Sequence, residues 1–135
     1  MELAIQKATV LNPRNSRYHY LFSHVLRRAG KLESAEKAAT RALELSDKPS
    51  ASQFHHRATL RRQLKGYAGA LSDWEAAISL EPKKAKYHAH ASEVLKQLAR
   101  FDEALSHAAR ASSLKPKNER YRRVYTQLKE QIGRP

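Results

Sequence analysis

The sequence predicts an all-α chain built as a stack of antiparallel helical hairpins. Three observations carry this. Prolines, alanines and leucines recur at a step of 34 or 35 residues. Apolar residues between the recurrences are spaced for helices. Paired breaks divide each period in two. Pro82 and Pro116 lie 34 apart, as do Ala70 and Ala104, Ala77 and Ala111, Ala8 and Ala42, and Leu11 and Leu45. The step is 35 from Ala35 to Ala70, Ala42 to Ala77 and Leu45 to Leu80, so one extra residue sits near Lys48–Ser50. A fixed period of this length is the mark of a repeat architecture.

Each period holds two helices. The first helices are expected at about 16–29, 51–64 and 85–98, and the second at about 32–46, 68–80 and 102–114. Short breaks separate them at Gly30-Lys31, Lys65-Gly66 and Ala99-Arg100. Glycine at such an end takes the left-handed cap conformation without a Cβ penalty. Pro82 and Pro116 oppose continuation of the second helices, because proline lacks the amide proton and clashes with the preceding turn. Ala35, Ala38, Ala39, Ala42 and Leu45 repeat with helical period; so do Ala70, Leu71, Trp74, Ala77 and Ile78, and Ala104, Leu105, Ala108, Ala111 and Leu114. Ala35, Ala70 and Ala104 are small enough to let the two helices of a hairpin touch. The expected division is a single domain over 1–135. It holds the second helix of a partial repeat (1–15), full repeats at 16–50, 51–84 and 85–118, and a capping helix at 119–132. On this reading the chain starts inside a repeat and is a piece of a longer solenoid. The uncovered N-terminal helix is then a candidate surface for self-association.

Composition agrees. Hydrophobic residues make up 41% of the 135, which argues against a disordered tail, and strand-favouring Val and Ile are scarce. The absence of cysteine removes disulfides, thiolate catalysis and Cys-based zinc sites, but leaves the compartment open, with the cytoplasm as default and the periplasm allowed if a signal was removed. No apolar run approaches the ~18 residues of a membrane span, so membrane insertion is not expected.

Gly30-Lys31-Leu32 with Ala35, Ala42-Leu43 and Leu45 resembles the tetratricopeptide signature. Gly66-Tyr67, Ala70, Trp74, Ala77-Ile78, Leu80 and Pro82 match it more fully, and Phe101, Ala104, Ala111, Leu114 and Pro116 match again. The resemblance covers nearly the whole chain and implies a right-handed α-solenoid, a tetratricopeptide-like superhelix, acting as a binding scaffold. The chain departs from the signature where a large aromatic often opens the first helix (His19, Phe54 and His88 here) and where Leu usually follows (Phe22, Arg57 and Ala91). Arg57 is the departure that bears on the groove side of the middle unit. Chaperone-binding members hold a C-terminal carboxylate with Lys, Asn and Arg. Tyr20, His24 and His56 fall on the Lys and Asn places here and only Lys86 matches, so binding of a chaperone tail is not expected.

No Gly-rich phosphate loop and no Ser/His/Asp arrangement stands out, so a non-catalytic protein without a cofactor is expected. Seven histidines invite a metal reading, yet no two stand at i, i+3 or i, i+4. His90 with Glu93, and Glu103 with His107, share helix faces but offer two ligands each, so no metal site is expected. His19 and His88 take aromatic places and are expected to be structural, and Tyr18, Tyr87 and Tyr121 to pack against the neighbouring hairpin.

Charge is the informative signal. The net charge is +13. The resemblance implies that the first helices line a concave groove. Segments 16–30, 51–64, 85–98 and 119–132 hold twelve of the 26 Lys/Arg but three of the 13 acids. Arg27, Arg62 and Lys96 share one slot across the repeats, Arg17, Lys86 and Arg120 a second, and Tyr20, His55 and Arg123 a third, with His24 and His90 close by. These eleven residues are the candidate partner-binding set. The expected function is protein–protein interaction, with this basic groove taking an extended acidic peptide. The alternatives are an anionic polymer (acidic polysaccharide or nucleic acid) in the same groove, or a structural spacer within a longer solenoid.

Overall fold

The computed structural model describes residues 2–133. Met1, Arg134 and Pro135, which the expected domain includes, lie outside the described residues. Eight helices follow one another: α1 (Glu2–Leu11), α2 (Ser16–Arg28), α3 (Leu32–Leu45), α4 (Ala51–Gln63), α5 (Tyr67–Leu80), α6 (Ala85–Gln97), α7 (Phe101–Leu114) and α8 (Glu119–Gly133). Each packs on the helix before and after it, so the chain is an all-α solenoid. The tightest pairs are α2 with α3, α4 with α5, and α6 with α7.

The small residues explain that closeness. Ala35, Ala70 and Ala104 are fully buried at the hairpin crossings, as are Ala42 and Ala77, with Ala111 nearly so. Where α2 and α6 carry serine, the close approach becomes a hydrogen bond: Ser23 Oγ–H donates to Ala35 O at 2.6 Å, and Ser92 Oγ–H to Ala104 O at 2.8 Å. Trp74, Tyr87, Val94, Leu95 and Leu128 fill the largest part of the core.

The three hairpin turns are the same motif. Lys31, Gly66 and Arg100 N–H bond back to Leu26, Arg61 and Leu95 O, and Gly30, Lys65 and Ala99 N–H to Arg27, Arg62 and Lys96 O. This pair of bonds needs one left-handed residue. Gly30 fills that position in the first turn (φ 79°), but Lys65 (φ 65°) and Ala99 (φ 57°) fill it in the others. The expectation that glycine takes the left-handed cap therefore holds at Gly30 and fails at Gly66, whose φ is −84° one residue later. The tertiary bonds of the turn set the register, and the side chain yields to them.

Two histidines pin loops. His19 Nε2–H donates to Pro13 O and His88 Nε2–H to Pro82 O, each at 2.8 Å. Nδ1 of His88 and Nδ1 of His107 share a further hydrogen bond at 3.1 Å.

Arg57 stands where the signature usually has Leu. It turns away from the α2/α4/α6 face into an ionic network. Its Nε and Nη2 grip both oxygens of buried Asp73, at 2.9 and 2.7 Å. Arg61 joins the same carboxylate at 3.2 Å and reaches Glu36 at 2.9 Å. Asp73 is 2% exposed, and the desolvation of so buried a carboxylate is offset only by partners of this kind.

Candidate functional site: the face of α2, α4, α6 and α8

Side chains of α2 meet those of α4, and side chains of α4 those of α6, along the face that the first helices share. That face falls into three regions along the stack.

The first joins α2 and α4. Tyr20 stands edge-on to His24 (4.6 Å between ring centroids) and to His56 (5.5 Å), and His24 stacks on His56 at 3.9 Å. Ser23 spends its proton on Ala35 O, so its oxygen accepts from His56 Nε2–H at 2.7 Å, which fixes that tautomer. Burial, with His24 and Arg27 alongside, lowers the His56 pKa to about 3, and burial lowers that of His24 as well.

The second joins α4 and α6 over Trp74, which is buried in α5. Trp74 Nε1–H donates to His55 Nδ1 at 3.0 Å. Its ring lies parallel to that of His90 at 5.0 Å and under the Arg62 guanidinium at 5.5 Å. Arg62 donates to His90 Nδ1 at 3.1 Å and approaches Glu93 at 3.5 Å. Indole and guanidinium can only donate, so both histidines are neutral with the proton on Nε2. Burial, then the neighbouring cations, lowers the pKa of each to about 4.

The third is an open cavity of about 290 Å³ between α6, α7 and α8. Lys86, His90, Lys96 and Arg120 surround it, Glu93 adds one acid, and Val124 lines its apolar side. Lys86 also lies 5.7 Å from the Tyr87 ring.

The structure thus sorts the expected residues. Lys86, His90, Lys96 and Arg120 converge on one cavity, while Tyr20 and His24 form the first cluster and His55 and Arg62 belong to the second. Arg27 reaches the next helix and donates to Gln63 at 3.2 Å. Arg17 and Arg123 are exposed and join neither cluster nor cavity. The slot shared by Tyr20, His55 and Arg123 is not a row of like neighbours, because Tyr20 meets His56 whereas His55 turns to Trp74.

Ser23 and Trp74 were missed as parts of this face, while His56 and Glu93 were noted only as a clamp place and as one of two possible ligands. Counting histidines along single helices could not find pairs that form across helices. Trp74 read as core, which it is, but its N–H and ring face outward to the histidines. Among the described residues no three His, Asp or Glu side chains gather as a metal-holding group, and no helix is long and apolar enough to cross a membrane.

Residues 16–49 match the family model of the tetratricopeptide repeat. No curated protein sequence matches the chain. Among solved structures, MamA superposes with a TM-score of 0.90 at 17% identity, over 98% of this chain and 77% of that one. YrrB, described as a TPR protein with an unusual peptide-binding site, gives 0.87 at 18% identity, over 97% and 67%. The first TPR of Spaghetti (RPAP3), bound to the HSP90 peptide SRMEEVD, gives 0.79 at 19% identity, over 89% and 94%. At these identities the likeness is one of fold.

Proposed function

We propose that this tetratricopeptide-repeat chain is a non-catalytic interaction scaffold that takes an extended acidic peptide along the α2/α4/α6/α8 face. The observation that carries the proposal is the cavity between α6 and α8. Three cationic side chains, Lys86, Lys96 and Arg120, edge it, and Glu93 leans toward Arg62. None of the three cations has a carboxylate partner among the described residues. Carboxylate side chains of a ligand would supply what they lack, through charge-assisted bonds. The neutral imidazoles of His55 and His90, half-buried over Trp74 and next to the cavity, offer flat surface for the peptide stem. Peptide occupancy in the RPAP3 domain and the peptide-binding site ascribed to YrrB are consistent with this use of the fold.

The test is fluorescence anisotropy with a labelled Asp/Glu-rich peptide and its Asn/Gln counterpart. The acidic peptide should bind and the neutral one should not. Lys86→Gln/Lys96→Gln/Arg120→Gln should weaken binding about a hundredfold, at about 1 kcal/mol per charge-assisted contact. Equal binding of both peptides, or no effect of the triple variant, overturns the proposal. Tighter capture of an acidic polysaccharide or single-stranded DNA, with affinity falling steeply as salt rises, would replace the peptide by a polymer.

A further inference from the structure

The cavity uses three of the cations behind a net charge of +13. Much of the remaining excess sits on one edge of the stack. In a chain of antiparallel hairpins, the connections α1–α2, α3–α4, α5–α6 and α7–α8 all lie at one edge, and α2–α3, α4–α5 and α6–α7 at the other. The first edge (residues 12–17, 46–50, 81–86 and 115–120) carries nine Lys/Arg, of which Lys86 and Arg120 also edge the cavity, and three acids; the second (28–34, 63–68 and 97–103) carries four and three. Six of the nine are in the connections themselves: Arg14, Lys48, Lys83, Lys84, Lys115 and Lys117. All six are exposed, and none has a carboxylate partner among the described residues.

The connections are held in place. His19 and His88 bond the Pro13 and Pro82 carbonyls, Asn15 and Asn118 side chains accept from Tyr18 and Tyr121 N–H, and Ser50 with Gln53 closes a capping box. Successive rungs of packed helices stand ~10 Å apart, so the connections that carry the cations form an ordered row.

A second feature of this edge selects the partner. Leu11 and Leu80 close α1 and α5 at equivalent repeat positions, beside the first and third connections, and are 78% and 52% exposed. Exposed leucines among fixed cations match an interface that is anionic at its surface and apolar beneath. A nucleic-acid backbone would use the cations and gain nothing from the leucines. The edge also lacks an exposed base-stacking ring, since Tyr87 is buried and Tyr18 and Tyr121 are half-buried.

We infer that the α1–α2, α3–α4, α5–α6 and α7–α8 edge docks the protein peripherally on a bilayer containing anionic lipid. The inference is independent of the peptide reading, because the six cations of the connections are not among those that edge the cavity.

The experiment is vesicle co-sedimentation of the full chain with phosphatidylcholine alone and mixed with phosphatidylserine. Binding should require phosphatidylserine. Lys83→Gln/Lys84→Gln/Lys115→Gln/Lys117→Gln should lose about a hundredfold in partition, given about fivefold per surface cation less losses to geometry. The charge-matched control Lys7→Gln/Arg28→Gln/Lys37→Gln/Arg110→Gln should lose far less. Leu11→Ser/Leu80→Ser, which keeps every charge, should lose about tenfold. Far-UV circular dichroism checks that each variant is helical, and unchanged peptide anisotropy shows that the cavity is intact. No binding by the parent chain overturns the inference, as does an equal loss in the control, which would reduce it to net charge. Binding that ignores the leucines while single-stranded DNA competes for the same edge would also overturn it, in favour of a polyanion partner.

Discussion

Lowering the pH from 7 to 5 should destabilise this protein through three histidines, and the sign follows from the hydrogen bonds. His55 and His90 use Nδ1 to accept from Trp74 and Arg62, which cannot turn round to accept. A proton on either Nδ1 sets two donors against each other. His56 gives its Nε2–H to Ser23 and stacks on His24, near Arg27. The folded pKa values are lowered to about 4, 4 and 3 from 6.5. The unfolded chain therefore binds more protons below pH 6.5. The stabilisation is complete above 6.5, declines as the pH falls, and is exhausted only near pH 4 to 3.

Each such group contributes a slope of at most about 1.4 kcal/mol per pH unit. Three would give about 4, but His55 and His90 are only half-buried and can swing toward water. A discounted slope of ~2 kcal/mol per unit is the working figure, or roughly 3 kcal/mol between pH 6.5 and 5. Urea unfolding followed by circular dichroism at pH 7.5, 6.5, 5.5 and 5.0 (set roughly across the 6.5 reference) measures it. The His55→Gln/His56→Gln/His90→Gln variant should start less stable and show at most half the parent slope. A parent curve flat from pH 7.5 to 5, or equal slopes in parent and variant, would refute the reasoning. The single tryptophan gives a local probe, since loss of the Trp74 N–H bond to His55 should shift its emission over the same range.

Asp73→Asn leaves Arg57 and Arg61 without their shared carboxylate and should cost about 3 kcal/mol, read as a lower urea midpoint at constant slope. Ala99→Gly relieves the left-handed backbone of the third turn and should raise stability by about 1 kcal/mol, measured the same way. Ala70→Leu forces a large side chain into the fully buried α4/α5 crossing and should cost ~1–3 kcal/mol by thermal melting, whereas the same change at exposed Ala68 should be near neutral.

The helices were legible because their signals are local. The alternation of Ala35, Ala42 and Leu45, repeated as Ala70, Ala77 and Leu80, depends only on which side chains recur every turn. The predicted bounds of the hairpin helices fall within one residue of those observed. The turn glycine shows where local reasoning stops. Gly66 looked like the cap, but the back-bonds from Lys65 and Gly66 put the left-handed position on Lys65. The candidate face was half legible. Charge counting found the cations, and equivalent spacing placed Lys86, Lys96 and Arg120 on first helices. It also placed Arg17 and Arg123 there, and both are exposed outside the cavity and the clusters.

By itself, then, the sequence determined the number and register of the helices, the small residues where they cross, and the concentration of cations on first helices and connections. Each of these is a property of residues counted along one chain. Tertiary structure alone decided which side chains meet. Arg57 left the face for Asp73, His56 joined His24, and Trp74 became the floor beneath two neutral imidazoles and an arginine. Those choices follow from burial. Once helix packing removes water, a charge must find its counter-charge and a donor its acceptor, and these partners lie on other helices 16 to 33 residues away, beyond the reach of any single-helix pattern.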